Sequence, residues 1–151
     1  MSPKVLPYEP EWLEVTAQIW SRSYQASTVA VAGQGDVAEL VERIPKEIDA
    51  GWSAWLAWRD GEAVGFLALK PKDQQLHQLF VLPESQGEGI GTMLLTHAKA
   101  ELREGIWLSV FAENASARRF YERHGFAEGV HDKHPRTGQE TIVYSWAPFI
   151  D

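Results

Sequence analysis

The sequence predicts a mixed α/β domain whose central sheet contains one parallel pair of strands. Two apolar segments of strand length flank an Asp-Gly pair, which is a strong signal for a β-hairpin. Farther along the chain, strand-like and helix-like segments alternate, and a strand–helix–strand crossover places its two strands in parallel. The length of 151 residues and the 44% hydrophobic content fit one compact domain, residues 1–151, with its own core.

The N-terminal third of the chain is predicted to be mainly helical. Residues 9–24 repeat apolar side chains at helical spacing, whereas residues 23–35 are small and polar, as expected for a loop. Asp36 is a candidate N-cap for a second helix. Pro45 is predicted to break or restart that helix, and Gly51 is predicted to end it.

The middle of the chain supplies the hairpin and the start of the crossover. Strands are predicted over residues 53–58, 63–69 and 75–82, and Pro83 ends the third of them. Residues 92–103 then repeat apolar side chains on one side of a helix.

The C-terminal third completes the crossover. A short buried strand is predicted over residues 106–110, and Asn114 is a candidate cap for a helix that runs to about His124. Residues 130–138 are polar and are predicted to form turns. Residues 141–146 alternate between apolar and polar side chains and are predicted to form the last strand.

Composition and charge exclude several classes of function. The formal net charge of −7 would repel nucleic-acid phosphates, so we expect no nucleic-acid partner. The chain has no cysteine, which excludes disulfides, thiolate metal sites and a cysteine nucleophile. No apolar run is long enough for a membrane span or typical of a signal peptide, so we expect a cytoplasmic protein with no membrane partner.

The glycine-rich turn at residues 86–91 is chemically the most informative segment. It follows a predicted strand and opens a predicted helix. Gly87, Gly89 and Gly91 have no Cβ to keep a ligand away from the backbone. The free N–H groups at the start of a helix, together with the helix dipole, favour a phosphate. The segment therefore predicts an anion site, with a pyrophosphate as the best candidate.

Two other phosphate-binding loops fit this segment less well. A P-loop ends in Gly-Lys-Ser/Thr, whereas Thr92 follows Gly91 directly. A dinucleotide fingerprint has the spacing G-x-G-x-x-G and an acidic residue at the end of the next strand. Here the glycines are spaced by two and two, and residues 106–110 end without an acid.

Residues 86–91 resemble motif A, Q-x-x-G-x-G, of the Gcn5-related N-acetyltransferases (GNAT), and residues 114–126 resemble motif B of that family, N-x-x-A-x-x-F-Y-x-x-x-G-F. A predicted strand of fitting length lies between the two motifs. The resemblance implies a mostly antiparallel sheet flanked by helices, with a splayed central parallel pair. It also implies acetyl-CoA as co-substrate and direct attack by an amine in a ternary complex.

The resemblance assigns the donor site mainly to main-chain groups. In the family, the fourth strand pairs with the pantetheine arm, and its backbone N–H at the position of Val81 would polarise the acetyl carbonyl. Main-chain N–H groups of the glycine turn would bind the pyrophosphate, and Asn114 would cap its helix and contact the cofactor arm. The implied cofactor-binding residues are Leu79, Phe80, Val81, Gln86, Gly87, Glu88, Gly89, Ile90, Gly91, Thr92 and Asn114.

Two residues are candidates for proton transfer. Tyr121 of motif B is the candidate acid, because a phenol with a pKa near ~10 can protonate a leaving thiolate; the alternative is a core aromatic. Many family members place a glutamate base on the fourth strand, where this chain has Gln75. His77, which simple alternation places on the face of Leu79 and Val81, is the candidate base. A water chain, or a histidine held by a neighbour, is the alternative.

The acceptor site is predicted less sharply. Trp20 and Tyr24 lie four residues apart on the first helix, where the family builds its acceptor pocket, and core packing is the other interpretation. We expect a small-molecule or peptide amine as acceptor, and homodimers are common in the family. His131 and His134 have no evident third ligand, so we expect no metal.

Two other functions stay open from the sequence. One is a CoA-binding sensor or interaction module that lost its chemistry, which Gln75 favours and Tyr121 opposes. The other is a toxin that acetylates charged tRNA, which the net charge of −7 disfavours.

Overall fold

The computed structural model describes residues 2–148. Within that range the chain forms four α-helices, seven strands and three short 3₁₀ turns. The helices are α1 (Leu13–Gln25), α2 (Val37–Asp49), α3 (Ile90–Glu101) and α4 (Ala115–Arg123). The strands are β1 (Lys4–Pro7), β2 (Ser53–Arg59), β3 (Glu62–Lys70), β4 (Gln75–Val81), β5 (Ile106–Phe111), β6 (Ala127–Lys133) and β7 (Glu140–Trp146).

One seven-stranded sheet has the order β1-β2-β3-β4-β5-β7-β6. Strands β4 and β5 are parallel, and the other neighbouring pairs are antiparallel. The sheet confirms the predicted mixed α/β fold with a parallel central pair. The crossover between the parallel strands is made by α3, as the alternation of segments predicts.

Strand β3 lies at the centre of the core and separates two layers of helices. A Cβ added to Gly65 would lie about 3 Å from Leu94 and Ile90 of α3, so this residue faces α3. The next residue, Phe66, stacks on Trp20 of α1 with 6.1 Å between ring centroids. Because neighbouring side chains of a strand point to opposite faces, α1 and α3 cover opposite sides of the sheet. Seven consecutive residues of β3 are buried, as expected for a strand covered on both faces.

Two local features that the sequence predicts are present in the structure, the turn between β2 and β3 and the N-cap of α2. Asp60 and Gly61 both have positive φ, 52° and 82°, which is the backbone of a two-residue hairpin turn. The Oδ1 atom of Asp36 accepts a hydrogen bond from the N–H of Glu39 at 2.8 Å, which confirms the cap of α2.

The prediction that Pro45 breaks the second helix was wrong. Helix α2 runs without interruption from Val37 to Asp49, with Pro45 inside it. Proline removes one helical hydrogen bond, but Leu40 and Ile44 on the same helix are completely buried in the core. Burial of this apolar face stabilises the helix more than the lost bond destabilises it.

Two strands were missing from the prediction, and both lie at edges of the sheet. Strand β1 is only four residues long. Strand β6 occupies part of the segment that was predicted to form turns, and each of its seven residues is exposed. A strand without a buried face has no alternating pattern, so β6 lacks the periodicity by which strands are recognised.

Candidate functional site

Strands β4 and β5 are paired at one end only, and this opens a cleft in the middle of the sheet. Their one pair in register is Gln75 with Trp107, at the start of both strands. Beyond that pair the strands diverge around a cavity of about 600 Å³, which Leu79 and Val110 help to line. The structure therefore shows the predicted splay of the parallel pair.

A β-bulge in β4 lies next to this opening. The register between β3 and β4 pairs Ala68 with Gln78 but Leu69 with Leu76, so His77 is the extra residue. A bulge bends its strand and increases the local twist, which directs β4 away from β5.

The main chain of β4 presents unpaired groups to the cleft. The N–H of Leu82 donates to the carbonyl of Val64 on β3 at 2.9 Å. Since successive N–H groups of a strand point to opposite edges, the N–H groups of Val81 and Leu79 point toward β5. No residue of β5 pairs with β4 beside Leu79 or Val81. An extended ligand with amide groups fits this free edge as an added strand.

The glycine turn has the backbone of an anion site. Gly87 and Gly89 have φ values of 81° and 84°, and a Cβ at either position would meet open space. The first hydrogen bond of α3 runs from the N–H of Met93 to the carbonyl of Gly89 at 3.0 Å. The preceding N–H groups, of Ile90 to Thr92, therefore have no acceptor inside the helix. This end of α3 fits a phosphate group.

Side chains beside the turn are occupied by the protein itself. The Nε2 atom of Gln86 donates to the carbonyl of Val81 at 3.2 Å, and Ser23 Oγ donates to the same carbonyl at 3.0 Å. The carboxylate of Glu88 forms an ion pair with Arg59. The contribution of Gln86 and Glu88 to an anion site is therefore confined to their backbone.

Asn114 lies at the start of α4 and lines the cleft. Its Oδ1 atom accepts a hydrogen bond from the N–H of Ala117 at 3.2 Å, so the predicted cap is confirmed. This bond leaves the side-chain NH₂ group available to a ligand.

Tyr121 lies on α4 with its side chain in the cleft wall. The residue is 7% exposed, and its ring packs edge-on against Phe126. Among residues 2–148 no group hydrogen-bonds to its hydroxyl. Burial raises the pKa of Tyr121 above its ordinary value, so the phenol is protonated at neutral pH. The hydroxyl is a free proton donor at the cleft.

A second buried tyrosine, which the sequence did not single out, has the opposite character. The hydroxyl of Tyr144 donates to Glu122 at 2.5 Å and accepts from Nε of Arg118 at 3.2 Å. Arg118 also forms an ion pair with Glu128 at 3.1 Å. Arg118 is therefore held by side chains of the protein itself, Tyr144 and Glu128. The alternating pattern of β7 is the sequence signal that could have placed Tyr144 in the core.

His77 lies on the other face of β4 from the one that simple alternation predicts. It meets the ring of Trp52 edge-on, and Trp52 in turn packs against Trp20 of α1. Leu79 pairs with Leu67, which belongs to the α3 face with Gly65. The extra residue of the bulge shifts the alternation by one, and this turns His77 toward α1 and α2.

The contacts of His77 fix its tautomer. The indole N–H of Trp52 donates to Nδ1 of His77 at 2.8 Å, so Nδ1 is the acceptor and Nε2 carries the proton of the neutral ring. Burial lowers the pKa of His77 to about 4, and the charges of Lys70 and Arg43 oppose protonation further while Glu47 favours it. At neutral pH, His77 therefore offers an Nε2–H donor. The role of base stays a prediction.

Trp20 and Tyr24 both line the cleft, as the helix spacing predicts. Trp20 is 5% exposed and stacks on Phe80 with 5.5 Å between centroids, so it belongs both to the core and to the cleft wall. The hydroxyl of Tyr24 accepts a hydrogen bond from the N–H of Val31 at 2.8 Å, which holds the loop between α1 and α2 against the cleft.

His131 and His134 do not come together as metal ligands. His131 lies between Glu128 and Glu140, at 2.9 Å and 2.7 Å, whereas His134 packs on Phe111 in the cleft. Across residues 2–148, no group of three or more histidine, cysteine or acidic side chains is arranged so that it could hold a metal ion. In the same part of the chain, no helix combines the length and the apolarity that a membrane crossing requires.

Comparisons with known proteins agree with this geometry. The model of the acetyltransferase (GNAT) family matches residues 12–126. The chain is 34% identical over 111 residues to the peptidyl-lysine N-acetyltransferase YjaB of Salmonella typhimurium, and the alignment covers 72% of each protein. It is 44% identical over 75 residues to an uncharacterized N-acetyltransferase of Archaeoglobus fulgidus, covering 41% of this chain and 51% of that protein.

A solved structure shares the whole architecture. The crystal structure of the PaiA N-acetyltransferase from Thermoplasma acidophilum in complex with coenzyme A superimposes with a TM-score of 0.79, covering 98% of this chain and 100% of that one. The sequence identity is 20%, so the likeness concerns the fold.

Proposed function

The chain belongs to the acetyltransferase (GNAT) family, and on this premise we propose that it transfers acetyl from acetyl-CoA to a primary amine of a small molecule or peptide. The reaction class is acetyl transfer with coenzyme A as the carrier. The observation that carries the proposal is the unpaired edge of β4, which leads along the cleft to the free N–H groups of α3. Such an edge fits the amide-bearing arm of coenzyme A, and the helix end fits its pyrophosphate.

The residues of the cleft suit the chemistry of a thioester. The reaction forms a bond from the amine nitrogen to the acetyl carbon and breaks the bond from that carbon to sulfur. The N–H of Val81 stabilises the negative charge that develops on the acetyl oxygen. The hydroxyl of Tyr121 supplies a proton to the departing thiolate, and the proton that the nitrogen releases as the amide forms restores the phenol. The apolar surroundings that raise the pKa of the phenol also make the thiolate more basic.

The ammonium form of the acceptor must lose a proton before its nitrogen can attack. The cleft allows two routes to this free amine. In the first, the amine enters as the free base, because nearby cations such as Arg43 disfavour the ammonium form. In the second, His77 accepts the proton, which requires Nδ1 to exchange its bond with Trp52 or Nε2 to lose its hydrogen. We favour the first route, since the hydrogen bond and the low pKa of His77 both oppose the second.

Direct attack fits the composition of the chain. There is no cysteine, so the most reactive relay nucleophile is absent from the sequence. We therefore propose a ternary complex in which amine and acetyl-CoA are bound together.

The test is a thiol-release assay with acetyl-CoA and a panel of primary amines, with the acetylated products identified by mass spectrometry. We expect thiol release to depend on the amine and to match N-acetyl product one to one. Plots of reciprocal rates at several fixed amine concentrations should intersect. Tight CoA binding without release from any amine class would favour a non-catalytic CoA-binding module instead.

A further inference from the structure

The cleft is lined by slightly more cationic than anionic side chains, although the chain as a whole has a formal net charge of −7. Three cations line it, Arg43 from α2 and Lys133 and Arg136 from the β6–β7 connection, against the two carboxylates Glu39 and Asp132. These cations can bind an anionic group of a ligand.

One of these cations, Arg43, lies away from the pyrophosphate end of the cleft. The glycine turn follows the C-terminal end of β4, whereas Arg43 lies near His77, toward the N-terminal end of the strand. His77 and Val81 are four residues apart, which is roughly 13 Å along a strand. Arg43 therefore lies in the acceptor half of the cleft.

Arg43 is held in place and keeps free donors. Its guanidinium lies over the ring of Trp20, 5.0 Å from the centroid, and its Nη2 atom pairs with Glu47 at 3.3 Å. A guanidinium has five N–H donors, so one contact leaves most of them available. Arg43 lines the same cleft as His77 of β4 and His134 of the β6–β7 connection. Burial lowers the pKa of both histidines, and the charge of Arg43 acts in the same direction.

The neighbouring groups add a further donor, and the two carboxylates of the cleft each accept one backbone hydrogen bond. His77 contributes Nε2–H, because Trp52 occupies its Nδ1. The carboxylate of Glu39 accepts from the N–H of Gly35 at 3.0 Å, and that of Asp132 accepts from the N–H of Lys133 at 2.8 Å. Within residues 2–148, the side chains of Lys133 and Arg136 have no ion-pair or hydrogen-bond partner. These side chains offer N–H donors that an oxyanion could accept.

We propose that the acceptor is an amine that also carries an oxyanion group, a carboxylate or a phosphonate. The oxyanion binds to the guanidinium of Arg43 and to the Nε2–H of His77, and Arg136 lies at the mouth of the cleft. The proposal rests on the proposed acetyltransferase function and specifies its substrate class. The aromatic rings of Trp20 and Phe80 beside these donors suit an acceptor with an apolar body.

The test compares amines that differ only in the oxyanion. Phenylalanine and 2-phenylethylamine form the carboxylate pair, and 2-aminoethylphosphonate and propylamine form the phosphonate pair. Rates are compared at equal concentrations of unprotonated amine, with acetyl-CoA saturating. We expect kcat/KM to be about tenfold or more higher for the anionic member of at least one pair, and the pair that responds identifies the oxyanion.

Amino-acid substitutions test which residues produce the preference for the anionic amine. Arg43→Gln should bring the two members of the responding pair to within about twofold, mainly through KM of the anionic amine. Arg103→Gln removes the same charge from an exposed position in the turn after α3 and should leave the preference intact. Arg136→Gln alters an exposed side chain, so it tests the mouth of the cleft even if Arg43→Gln is poorly folded. It should lower the preference by a few fold.

The outcomes separate this proposal from the proposed function. Turnover of 2-phenylethylamine and propylamine equal to or above that of their anionic counterparts overturns the oxyanion site and leaves the acetyltransferase standing. A preference that survives in both Arg43→Gln and Arg136→Gln overturns the assignment of these residues. No acetylation of any amine overturns the proposed function and the oxyanion site with it.

Discussion

The indole N–H of Trp52 donates a hydrogen bond to Nδ1 of His77 over 2.8 Å, and this contact decides what His77 can do at neutral pH. With Nδ1 occupied, the neutral ring keeps its proton on Nε2 and offers a donor. The two residues are 25 positions apart, on β4 and just before β2. A histidine that looks like a base in the sequence is thus held as a donor by a residue from another part of the sheet.

The first prediction concerns acid stability. The folded pKa of His77 lies at about 4 and its ordinary value is 6.5, so protons bind the unfolded chain more tightly. The stabilisation is therefore fully present above pH 6.5 and is lost as the pH falls toward 4. The shift corresponds to a loss on the order of 3 kcal/mol in the free energy of unfolding. In the variant His77→Gln, this loss in the free energy of unfolding between pH 6.5 and pH 4 should be absent.

Urea unfolding between pH 4 and pH 7 measures this difference. His131→Gln is the matched control, because hydrogen bonds to Glu128 and Glu140 raise the pKa of His131. Its contribution is present below pH 6.5 and is lost as the pH rises, so the two variants should change the pH dependence in opposite directions. Parallel curves for wild type and His77→Gln would show that His77 is not buried in its neutral form.

The second prediction concerns the pH dependence of the rate. If the amine enters as the free base, the acid limb of kcat/KM follows the pKa of the acceptor, and a less basic amine moves it to lower pH. His77→Gln should leave that limb in place. A limb that is the same for amines of different basicity, and that disappears in His77→Gln, would instead establish His77 as the base.

The third prediction uses the two buried tyrosines as a pair. Tyr121→Phe removes a hydroxyl with no partner among residues 2–148, so we expect kcat to fall by about 10²–10⁴-fold with little change in stability or in KM for acetyl-CoA. Tyr144→Phe removes the bonds to Glu122 and Arg118 and should cost about 1–3 kcal/mol of stability with a small effect on kcat. Steady-state kinetics and thermal unfolding of both variants check this contrast. Equal losses of kcat and stability in Tyr121→Phe would indicate a packing role.

Features that depend on residues close together in the chain were predicted from the sequence. Features that depend on contacts between distant residues were missed. The turn at Gly61 and the cap at Asp36 depend on backbone geometry and neighbours within a few residues, and both were predicted. The face of His77 depends on a bulge that arises from pairing with β3, which lies outside any local window. The same holds for Arg43, whose place in the cleft follows from the packing of α2 on Trp20.

Strand β6 illustrates a different limit. Its seven residues are all exposed, and its partner β7 supplies the hydrogen bonds that make it a strand. Local composition therefore resembled a polar loop. Among the candidate site residues, Tyr121, Asn114, Trp20 and Tyr24 do meet at one cleft. Their joint placement comes from the splay of β4 and β5, which the family resemblance implied and composition alone did not.

The fourth prediction tests the glycine turn. Gly89 has a φ of 84° and open space where a Cβ would lie, so Gly89→Ala should cost about 1–2 kcal/mol through backbone strain alone. Gly61→Ala is the control, because Gly61 has a φ of 82° and equally open surroundings in the β2–β3 turn. Calorimetric titration with CoA should show weaker binding in Gly89→Ala only. Equal CoA affinities in the two variants would remove the turn from the binding site.

The most direct test of the cleft as the coenzyme site is amide exchange measured by NMR with and without CoA. The N–H groups of Leu79 and Val81 point toward the gap between β4 and β5, whereas that of Leu82 is already bonded to Val64 on β3. We predict that CoA slows exchange at Leu79 and Val81 by about tenfold or more and leaves Leu82 unchanged. Binding of CoA without protection at Leu79 and Val81, or with protection confined to residues outside β4 and the glycine turn, would contradict the account of this cleft.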